Sequence, residues 1–250
     1  MTAVSLTIAG CGDAFGSGGR HQSSYLVRQG DTVFLLDCGA TVLQALKAAG
    51  IGTTDFNTVF ISHLHGDHFG GLPFLLIDAI YISKRMAPLT IAGPPGMEAR
   101  FWTLCEAMYP TVGQARRAFE LRFVELPVNG SAKVDDIPVE TFEMNHFSGA
   151  PSLALRFGLG NKVFAFTGDT GWSDAVIRAG RDADLYLMEC YQYDLRLEMH
   201  LDYLTIDGRF ENIGARRIML THMHEAMLAR RAEVDATRYL LAEDGAAITF

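Results

Sequence analysis

Hydrophobic residues recur along the chain at two spacings, and each spacing predicts one kind of element. Short apolar or alternating runs indicate strands. They occur at 4–9, 23–28, 32–37, 58–61, 89–92, 119–126, 139–144, 153–157, 163–166, 185–188 and 218–220. Helical spacing occurs at 41–49, where Gly50 ends it, and again at 97–108. Because the two patterns alternate along the chain, the sequence predicts an α/β fold.

Turn-forming residues separate several of these runs and predict how the strands connect. Residues 158–161, Gly-Leu-Gly-Asn, lie between two apolar runs and predict a hairpin. Residues 29–31, Gln-Gly-Asp, predict another hairpin in the same way. Residues 135–138, Asp-Asp-Ile-Pro, predict a turn before the run 139–144.

The stretch 72–82 is apolar on nearly every side. A helix of this kind is normally buried, and in a dimeric protein it could equally lie at a subunit contact. We therefore expect a buried helix over 72–82. This helix, together with the family resemblance described below, favours a homodimer.

Composition describes an ordinary globular protein with an acidic charge balance. The 250 residues are 49% hydrophobic and 20% charged, which is enough for a sizeable core. Lys and Arg number 21 against 29 Asp and Glu, and the net charge of −8 disfavours a broad basic face for nucleic acid. Because no Pro- or Ser-rich linker interrupts the pattern, we expect one domain over 1–250, made of two similar β-rich halves with helices outside.

The cysteines and the N-terminal sequence predict a cytoplasmic protein. Cys11, Cys38, Cys105 and Cys190 are widely separated and form no Cys-x-x-Cys pair, which is typical of reduced thiols. The N-terminus lacks the basic and apolar regions of a signal peptide, and no run reaches the roughly 18 apolar residues that a membrane span needs. We expect no membrane contact.

Four candidate metal ligands lie between His63 and His68, directly after the apolar run 58–61. In an extended segment His63 and His65 project to the same side and could bind one ion. Asp67 and His68 follow the turn that Gly66 permits and would point toward a second ion. A two-metal site is suited to the hydrolysis of esters and phosphates.

Other polar residues follow apolar runs farther along the chain. They are His146, Asp169, Glu189 and His222. Since the buried strands of an α/β sheet deliver side chains to a site at their carboxyl ends, we expect these residues near the metal loop.

Two further histidines have an open assignment. His224 forms a second His-x-His pair with His222, although His222 stands directly at the end of the run 218–220. His21 lies beside the Gly-rich loop 13–20 and could either line the substrate pocket or be a rim residue without a role.

These residues and their order resemble the metallo-β-lactamase superfamily, and within it the ribonuclease Z-like phosphodiesterase branch. The resemblance also takes in the Gly-rich loop, 23–26 and 36–39, so it extends over most of the chain. It implies an αββα sandwich, in which two mixed sheets pack together and helices cover their outer faces. It also implies two divalent metal ions, for which imidazole and carboxylate ligands favour zinc and admit manganese or iron.

The resemblance assigns seven residues as metal ligands, in two sets with one bridge. The first set is His63, His65 and His146, the second is Asp67, His68 and His222, and the bridge is Asp169.

The resemblance also assigns catalytic roles. His200 matches an extra histidine of the branch, which would act as general acid toward the leaving alkoxide. Glu189 matches an acid that orients an imidazole. Asp67 or Asp169 would orient the attacking water.

Two departures from the tRNA-processing members of the branch disfavour tRNA as substrate. Only a tight hairpin lies between His146 and Asp169, where a long Gly- and Pro-rich arm would be needed to hold tRNA. Residues 201–204 read Leu-Asp-Tyr-Leu, where that family has small hydroxyl residues. Arginine pairs at 116–117, 216–217 and 230–231 could contact a phosphate backbone. Two of these pairs lie on or near predicted helices, however, where charged residues ordinarily face solvent.

The sequence therefore predicts a dinuclear metal-dependent hydrolase that cleaves phosphodiesters with metal-activated hydroxide. The expected substrate is a small or cyclic phosphodiester, or a nucleic-acid end. One alternative keeps the fold but cleaves a thioester, lactone, β-lactam or sulfate ester, because these need the same activated water. A second is a non-enzymatic metal-binding module, which the competent residues at all ligand positions disfavour.

Overall fold

Fourteen strands form two sheets within residues 3–250, the part of the chain that the computed structural model describes. In chain order they are β1 (Val4–Gly10), β2 (Ser24–Gln29), β3 (Thr32–Leu36), β4 (Thr58–Phe60), β5 (Leu89–Gly93), β6 (Leu121–Glu125), β7 (Ser131–Val134), β8 (Ile137–Met144), β9 (Ser152–Leu159), β10 (Lys162–Phe166), β11 (Leu185–Glu189), β12 (Ile218–Thr221), β13 (Tyr239–Leu241) and β14 (Ala247–Thr249). The first sheet has the order β14-β1-β2-β3-β4-β5-β6, and the second has the order β13-β12-β11-β10-β9-β8-β7. Each half of the chain thus builds most of one sheet.

Each sheet combines an antiparallel part with a parallel part. The predicted hairpins β2–β3 and β9–β10 are antiparallel, and their turns contain Gly30 (φ 56°) and Gly160 (φ 63°). Strands β3 to β6 are parallel, as are β10 to β13. Since parallel strands end at the same edge of a sheet, the residues that follow β4, β10 and β12 lie close together.

The predicted turn at 135–138 is shorter in the structure. Asp135 (φ 46°) and Asp136 (φ 68°) form the turn, while Ile137 and Pro138 already belong to β8. Two consecutive residues with positive φ give the turn geometry that a two-residue hairpin requires. The prediction was wrong for Ile137 and Pro138, and it missed β7 on the other side of this hairpin.

An apolar layer fills the space between the sheets. Phe34 and Phe60 of the first sheet pack against Phe157 of the second, with ring centroids 4.7 Å and 4.9 Å from that of Phe157. All three side chains are fully buried. Buried aromatic pairs in tilted or edge-on contact stabilise a core beyond the area that they remove from water. This layer fixes the two sheets, and therefore the ends of their strands, relative to each other.

Helices cover the outer face of each sheet. They are α1 (Val42–Ala48), α2 (Gly66–Phe69), α3 (Leu72–Ile77), α4 (Met97–Met108), α5 (Asp174–Gly180), α6 (Tyr203–Asp207), α7 (Phe210–Ile213) and α8 (Glu225–Ala229). Helices α1, α3 and α4 pack on the first sheet, for example through Leu46 and Phe101, and α5 to α8 pack on the second, for example through Val176. Along the described chain, no helix has both the length and the apolarity needed to cross a bilayer.

The expected single buried helix over 72–82 was wrong. Helix α3 ends at Ile77, and a π-helical turn follows at Asp78–Ile82. The buried Asp78 carboxylate accepts a hydrogen bond from Thr53 Oγ1 at 2.5 Å. Beyond this polar anchor the wider turn leaves Tyr81 and Ile82 56% and 72% exposed.

Candidate metal centre

The carboxyl ends of strands from both sheets meet at one edge of the sandwich, and all seven predicted ligands lie there. From the first sheet, β4 leads to His63 and His65, and the short helix α2 carries Asp67 and His68. From the second sheet, β8 leads to His146, β10 to Asp169 and β12 to His222. The structure brings these side chains together in two adjoining clusters.

The first cluster contains three imidazoles, those of His63, His65 and His146, whose ligand atoms lie within 4.8 Å of one another. The Nε2 atom of His146 is 2.9 Å from Nδ1 of His65. On the other side of its ring, Nδ1 of His146 donates to the carbonyl oxygen of Met199 at 2.9 Å. This bond fixes the tautomer in which Nε2 offers a lone pair to the cluster.

The second cluster combines two carboxylates with two imidazoles, those of Asp67, Asp169, His68 and His222. Nε2 of His222 lies 3.1 Å from Oδ2 of Asp67 and 3.2 Å from Nε2 of His68. His222 adopts a φ of 57°, which is uncommon for a residue other than glycine. Its backbone N–H donates to the carbonyl oxygen of Cys11 at 3.0 Å, which holds this conformation at the end of β12.

Asp169 lies between the two clusters. Its Oδ2 atom is 3.8 Å from Nε2 of His63 and 3.9 Å from Nε2 of His146, both in the first cluster. Toward the second cluster, Oδ1 is 3.3 Å from Nε2 of His68, and Oδ2 is 3.5 Å from Nε2 of His222. One carboxylate therefore reaches both clusters, as a residue that bridges two cations must.

Several buried polar atoms at this edge lack a hydrogen-bond partner within residues 3–250. They include Nε2 of His63 and Oδ1 of Asp169. Buried polar groups are normally hydrogen-bonded, so atoms of this kind call for another explanation. A cation would satisfy both, and imidazole with carboxylate is a donor set that divalent metal ions prefer. The residues present therefore fit divalent metal ions.

Asp37 and Ser62 support the ligands from outside the clusters. Oδ2 of Asp37 accepts hydrogen bonds from Nδ1 of His68 at 2.6 Å and from Oγ of Ser62 at 2.8 Å. Ser62 Oγ in turn accepts from Nδ1 of His63 at 3.1 Å. Both rings consequently present Nε2 to the centre. Sequence reasoning gave neither residue a role, although the position of Asp37 directly after β3 was a usable signal.

The histidines of the two clusters differ in the charge that their surroundings favour. Burial lowers the pKa of His63 and His65 below the ordinary 6.5, and that of His146 to about 4. Burial also disfavours the charged form of His68, but the carboxylates around it, Asp169 first, raise its pKa well above 6.5. Burial thus favours neutral imidazoles in the first cluster, whereas the carboxylates of the second favour a positive partner, which a divalent cation would also provide.

His200 lies beside the centre and is anchored by Glu189, the last residue of β11. Nδ1 of His200 donates to Oε2 of Glu189 at 3.1 Å and lies 4.0 Å from Oδ2 of Asp169. Glu189 also accepts a hydrogen bond from the backbone N–H of Thr170. Burial lowers the pKa of His200, but the charge of Glu189 and its hydrogen bond outweigh burial and raise that pKa to about 9. Glu189 therefore lies where it can orient the imidazole of His200.

His224 and His21 lie outside both clusters. Nδ1 of His224 accepts a hydrogen bond from the N–H of Ala226 at 3.4 Å, at the start of α8. Nδ1 of His21 lies 3.0 Å from the carboxylate of Asp244. Among the described residues, neither histidine belongs to a group of metal-ligating side chains. The geometry favours His222 over His224 as a ligand.

The arginine pairs considered for phosphate binding are mostly engaged within the chain. Arg216, Arg230 and Arg231 form ion pairs with acidic residues at 3.0 Å, 2.6 Å and 3.3 Å. Arg117 and Arg217 lie over aromatic rings. These contacts weaken the case for a face that binds a phosphate backbone.

One family model and several known proteins match this chain. The model for the anti-Pycsar protein Apyc1 matches residues 4–245. A ribonuclease Z of Mycobacterium avium is 30% identical over 179 residues, which cover 67% of this chain and 63% of that protein. A ribonuclease Z of Methanosarcina acetivorans is 25% identical, with 87% of each chain covered. The chain thus matches just under two thirds of the first relative and most of the second.

A solved structure agrees with the fold. The metallo-β-lactamase fold protein YhfI from Bacillus subtilis has a TM-score of 0.81 to this chain, at 22% sequence identity and with 100% of both chains covered. The αββα prediction is confirmed by this likeness. Together with the ribonuclease Z relatives, it confirms the predicted resemblance to ribonuclease Z-like proteins of the superfamily. These relatives support a metal-dependent hydrolase that acts on phosphodiester bonds.

Proposed function

The chain belongs to the family of the anti-Pycsar protein Apyc1, and on that premise we propose that it is a dinuclear metal-dependent phosphodiesterase. The observation that carries the proposal is the position of Asp169, whose carboxylate lies within 3.9 Å of imidazole nitrogens from both ligand clusters. A shared carboxylate between two clusters is the arrangement that two-metal hydrolases need. The ribonuclease Z relatives support a phosphodiester as the bond that is cleaved.

We assign one ion to the first cluster and one to the second, with Asp169 shared, and we favour zinc because imidazole dominates the donor set. Two such ions would supply a water of lowered pKa and positive charge opposite the developing charge of the phosphate. The outward hydrogen bonds of His63, His68 and His146 keep their ligating nitrogens directed at the centre before any ion binds.

The remaining residues of the site handle protons. Beside two cations the carboxylate of Asp67 would be ionised, and it can accept a hydrogen bond from the attacking water. His200, held through Nδ1 by Glu189, keeps Nε2 available to donate a proton to the leaving alkoxide.

The substrate that we favour is a small or cyclic phosphodiester, or a nucleic-acid end. Only the hairpin of β9 and β10 lies between His146 and Asp169, so a tRNA-holding arm has no place there. The arginine pairs are mostly engaged within the chain. Both points disfavour tRNA, even though the relatives are ribonucleases by name.

The proposal extends to the location and assembly of the protein. All four cysteines are buried free thiols, which suits the reducing cytoplasm. One apolar layer joins both sheets, in keeping with a single domain over 1–250. A homodimer is the assembly that we expect, and light scattering coupled to size-exclusion chromatography measures it.

The test is an activity assay with counted metals. Zinc-loaded protein should hydrolyse bis(p-nitrophenyl) phosphate and a cyclic nucleoside phosphodiester, lose activity on chelation and regain it when zinc returns. His222→Ala should lose bound metal, whereas His224→Ala, two positions away and outside both clusters, should keep it. A preparation that holds two metal ions and turns over no phosphodiester would overturn the proposed function.

A further inference from the structure

A cavity of about 420 Å³ borders His200 outside the ligand clusters. Its wall includes Trp172, Arg196, Thr205 and Arg209 together with His200, and it contains none of the seven predicted ligands. His200 is therefore shared between the centre, through its contact with Asp169, and this cavity.

The two arginines of the cavity wall have neutral partners. Nη2 of Arg196 donates to Oγ1 of Thr205 at 3.4 Å, and the guanidinium of Arg209 lies 4.9 Å from the ring centroid of Trp172. Within residues 3–250, neither guanidinium forms an ion pair, whereas Arg230 and Arg238 each pair with a carboxylate. In a chain with a net charge of −8, two such groups on one wall form a local site for an anion.

Two acidic residues also line the cavity and must be weighed against the arginines. Asp202 is buried, and its carboxylate accepts a hydrogen bond from the N–H of Thr205 at 2.8 Å as the N-cap of α6. Glu198 and Arg196 are both exposed, so solvent screens both of these charges. The wall thus carries two guanidinium groups and two carboxylates, and its arginines are distinguished by having no carboxylate partner among residues 3–250.

We propose that this cavity is a second substrate subsite, in which Arg196 and Arg209 hold an oxyanion carried by the leaving group. The inference rests on the proposed function, in which His200 protonates the leaving alkoxide. The group that departs past His200 then lies against the cavity that His200 borders. The planar guanidinium groups match a phosphate or a carboxylate, and Trp172 and Leu197 offer apolar surface to the carbon atoms between the two anionic groups. The preferred substrate is thus a phosphodiester whose leaving alcohol carries a second anion.

Trp172 provides a direct binding signal. The chain has two tryptophans, so Trp102→Phe leaves Trp172 as the sole fluorophore of that type in the metal-loaded protein. Titration with inorganic phosphate and with acetate should change its fluorescence, and the tighter binder identifies the preferred oxyanion. Arg196→Ala and Arg209→Ala should each weaken binding about 10-fold or more, as expected for lost hydrogen bonds to a charged group. Arg122→Ala, on the exposed edge strand β6, is the matched control and should leave binding unchanged.

The outcomes separate this inference from the function on which it rests. Asp169→Asn disables the metal centre. If phosphate or acetate still binds to this variant but no longer binds to Arg196→Ala, the subsite is supported. If binding disappears in Asp169→Asn but is unaffected by both arginine changes, the anion binds at the metals alone. That result overturns the subsite and leaves the proposed phosphodiesterase function unaffected. An absence of any fluorescence change up to high concentrations of both anions also overturns it.

A kinetic comparison supplies the second readout. It uses two phosphodiesters with the same scissile bond. In the first the leaving alcohol carries a phosphate monoester, and in the second a neutral methyl ether replaces that phosphate. The ratio of their kcat/KM values should favour the anionic substrate, and Arg196→Ala or Arg209→Ala should reduce that ratio about 10-fold, while Arg122→Ala should not. A ratio that both cavity variants leave unchanged contradicts the proposal.

Discussion

The apolar layer between the sheets and the ligand clusters at the strand ends are both buried, but burial has different consequences in the two regions. Phe34 and Phe157 are 0% exposed, and His63 and Asp169 are 0% and 2% exposed. The rings of the layer are satisfied by contact with one another. In the clusters, buried nitrogen and oxygen atoms remain without a hydrogen-bond partner among residues 3–250. The layer therefore stabilises the fold, whereas the clusters are arranged for cations.

This contrast predicts that the two regions can be damaged separately. Substitutions in the clusters should remove metal and activity from a protein that still folds. Substitutions in the layer should lower stability and leave the folded fraction active. Four substitutions test that separation, and a fifth tests a charged contact outside both regions.

Asp169→Asn should abolish activity and leave the fold intact. The change keeps the size of the side chain but removes the charge shared by both clusters, so kcat/KM should fall about 10³-fold or more. Metal analysis should find fewer than two ions per chain, with the circular dichroism spectrum unchanged. Asp174→Asn, on the exposed first turn of α5, is the matched control. Retained activity in Asp169→Asn would remove the basis for a bridged centre.

Phe157→Ala should have the opposite profile. The ring is fully buried between Phe34, Phe60 and Phe164, and its loss should lower the free energy of unfolding by about 3–5 kcal/mol. Urea unfolding measures this change. Metal content and kcat/KM per folded molecule should stay near the values of the unmodified protein. If metal is lost while stability is retained, the proposed division between the regions fails.

His200→Ala should reduce kcat about 10²- to 10³-fold and leave both metal ions in place, because the residue supplies a proton and is not a ligand. Steady-state kinetics and metal analysis on the same preparation separate the two roles. His224→Ala again serves as the matched control. Metal loss in His200→Ala would make it a ligand and contradict its role as general acid.

Asp37→Asn should weaken metal binding without removing a ligand. The carboxylate orients His68 directly and His63 through Ser62, and loss of such support typically costs about 10- to 100-fold in metal affinity. Asn tolerates the positive φ of this position, 57°, so the backbone should not change. Competition with a zinc chelator measures the affinity. An unchanged affinity would show that the ligands are held without Asp37.

Asp184→Asn tests a charged contact far from the ligands. Burial raises the pKa of Asp184, but hydrogen bonds from Val163 N–H and Lys162 Nζ outweigh it and hold that pKa below the ordinary 3.8. Because the folded-state pKa is depressed, the contribution to stability is present above about pH 4 and is lost as pH falls through the folded-state pKa. The variant should be less stable by about 1 kcal/mol at neutral pH. Urea unfolding at pH 7 and pH 3 should show this difference shrinking, and a constant difference would contradict the assignment.

Much of the site could be predicted from the sequence because its ligands follow strong local patterns. His63 to His68 form a dense motif, and His146, Asp169 and His222 stand at the ends of apolar runs, where sheet topology gathers them. The supporting residues could not be found in this way. The contact of Asp37 with His68 spans 31 positions, and that of Glu189 with His200 depends on how the loop after β11 folds back.

The fold was predicted where the periodicity was long and regular. Errors arose where a few residues decide the outcome, as at Asp135 and Asp136, whose positive φ values start β8 two residues earlier than expected. The short strands β13 and β14 gave no clear periodic signal, and they are held by pairing with β12 and β1. The cavity beside His200 could not be predicted from the sequence either, because Trp172, Arg196 and Arg209 lie in three separate connecting segments.

A bridged two-metal centre is tested by the metal content of the purified, zinc-loaded protein, measured by inductively coupled plasma mass spectrometry beside its phosphodiesterase activity. We expect two ions per chain, activity that returns with the second ion after chelation, and an inactive Asp169→Asn variant that binds fewer than two ions. Full phosphodiesterase activity with one ion per chain or none is incompatible with such a centre.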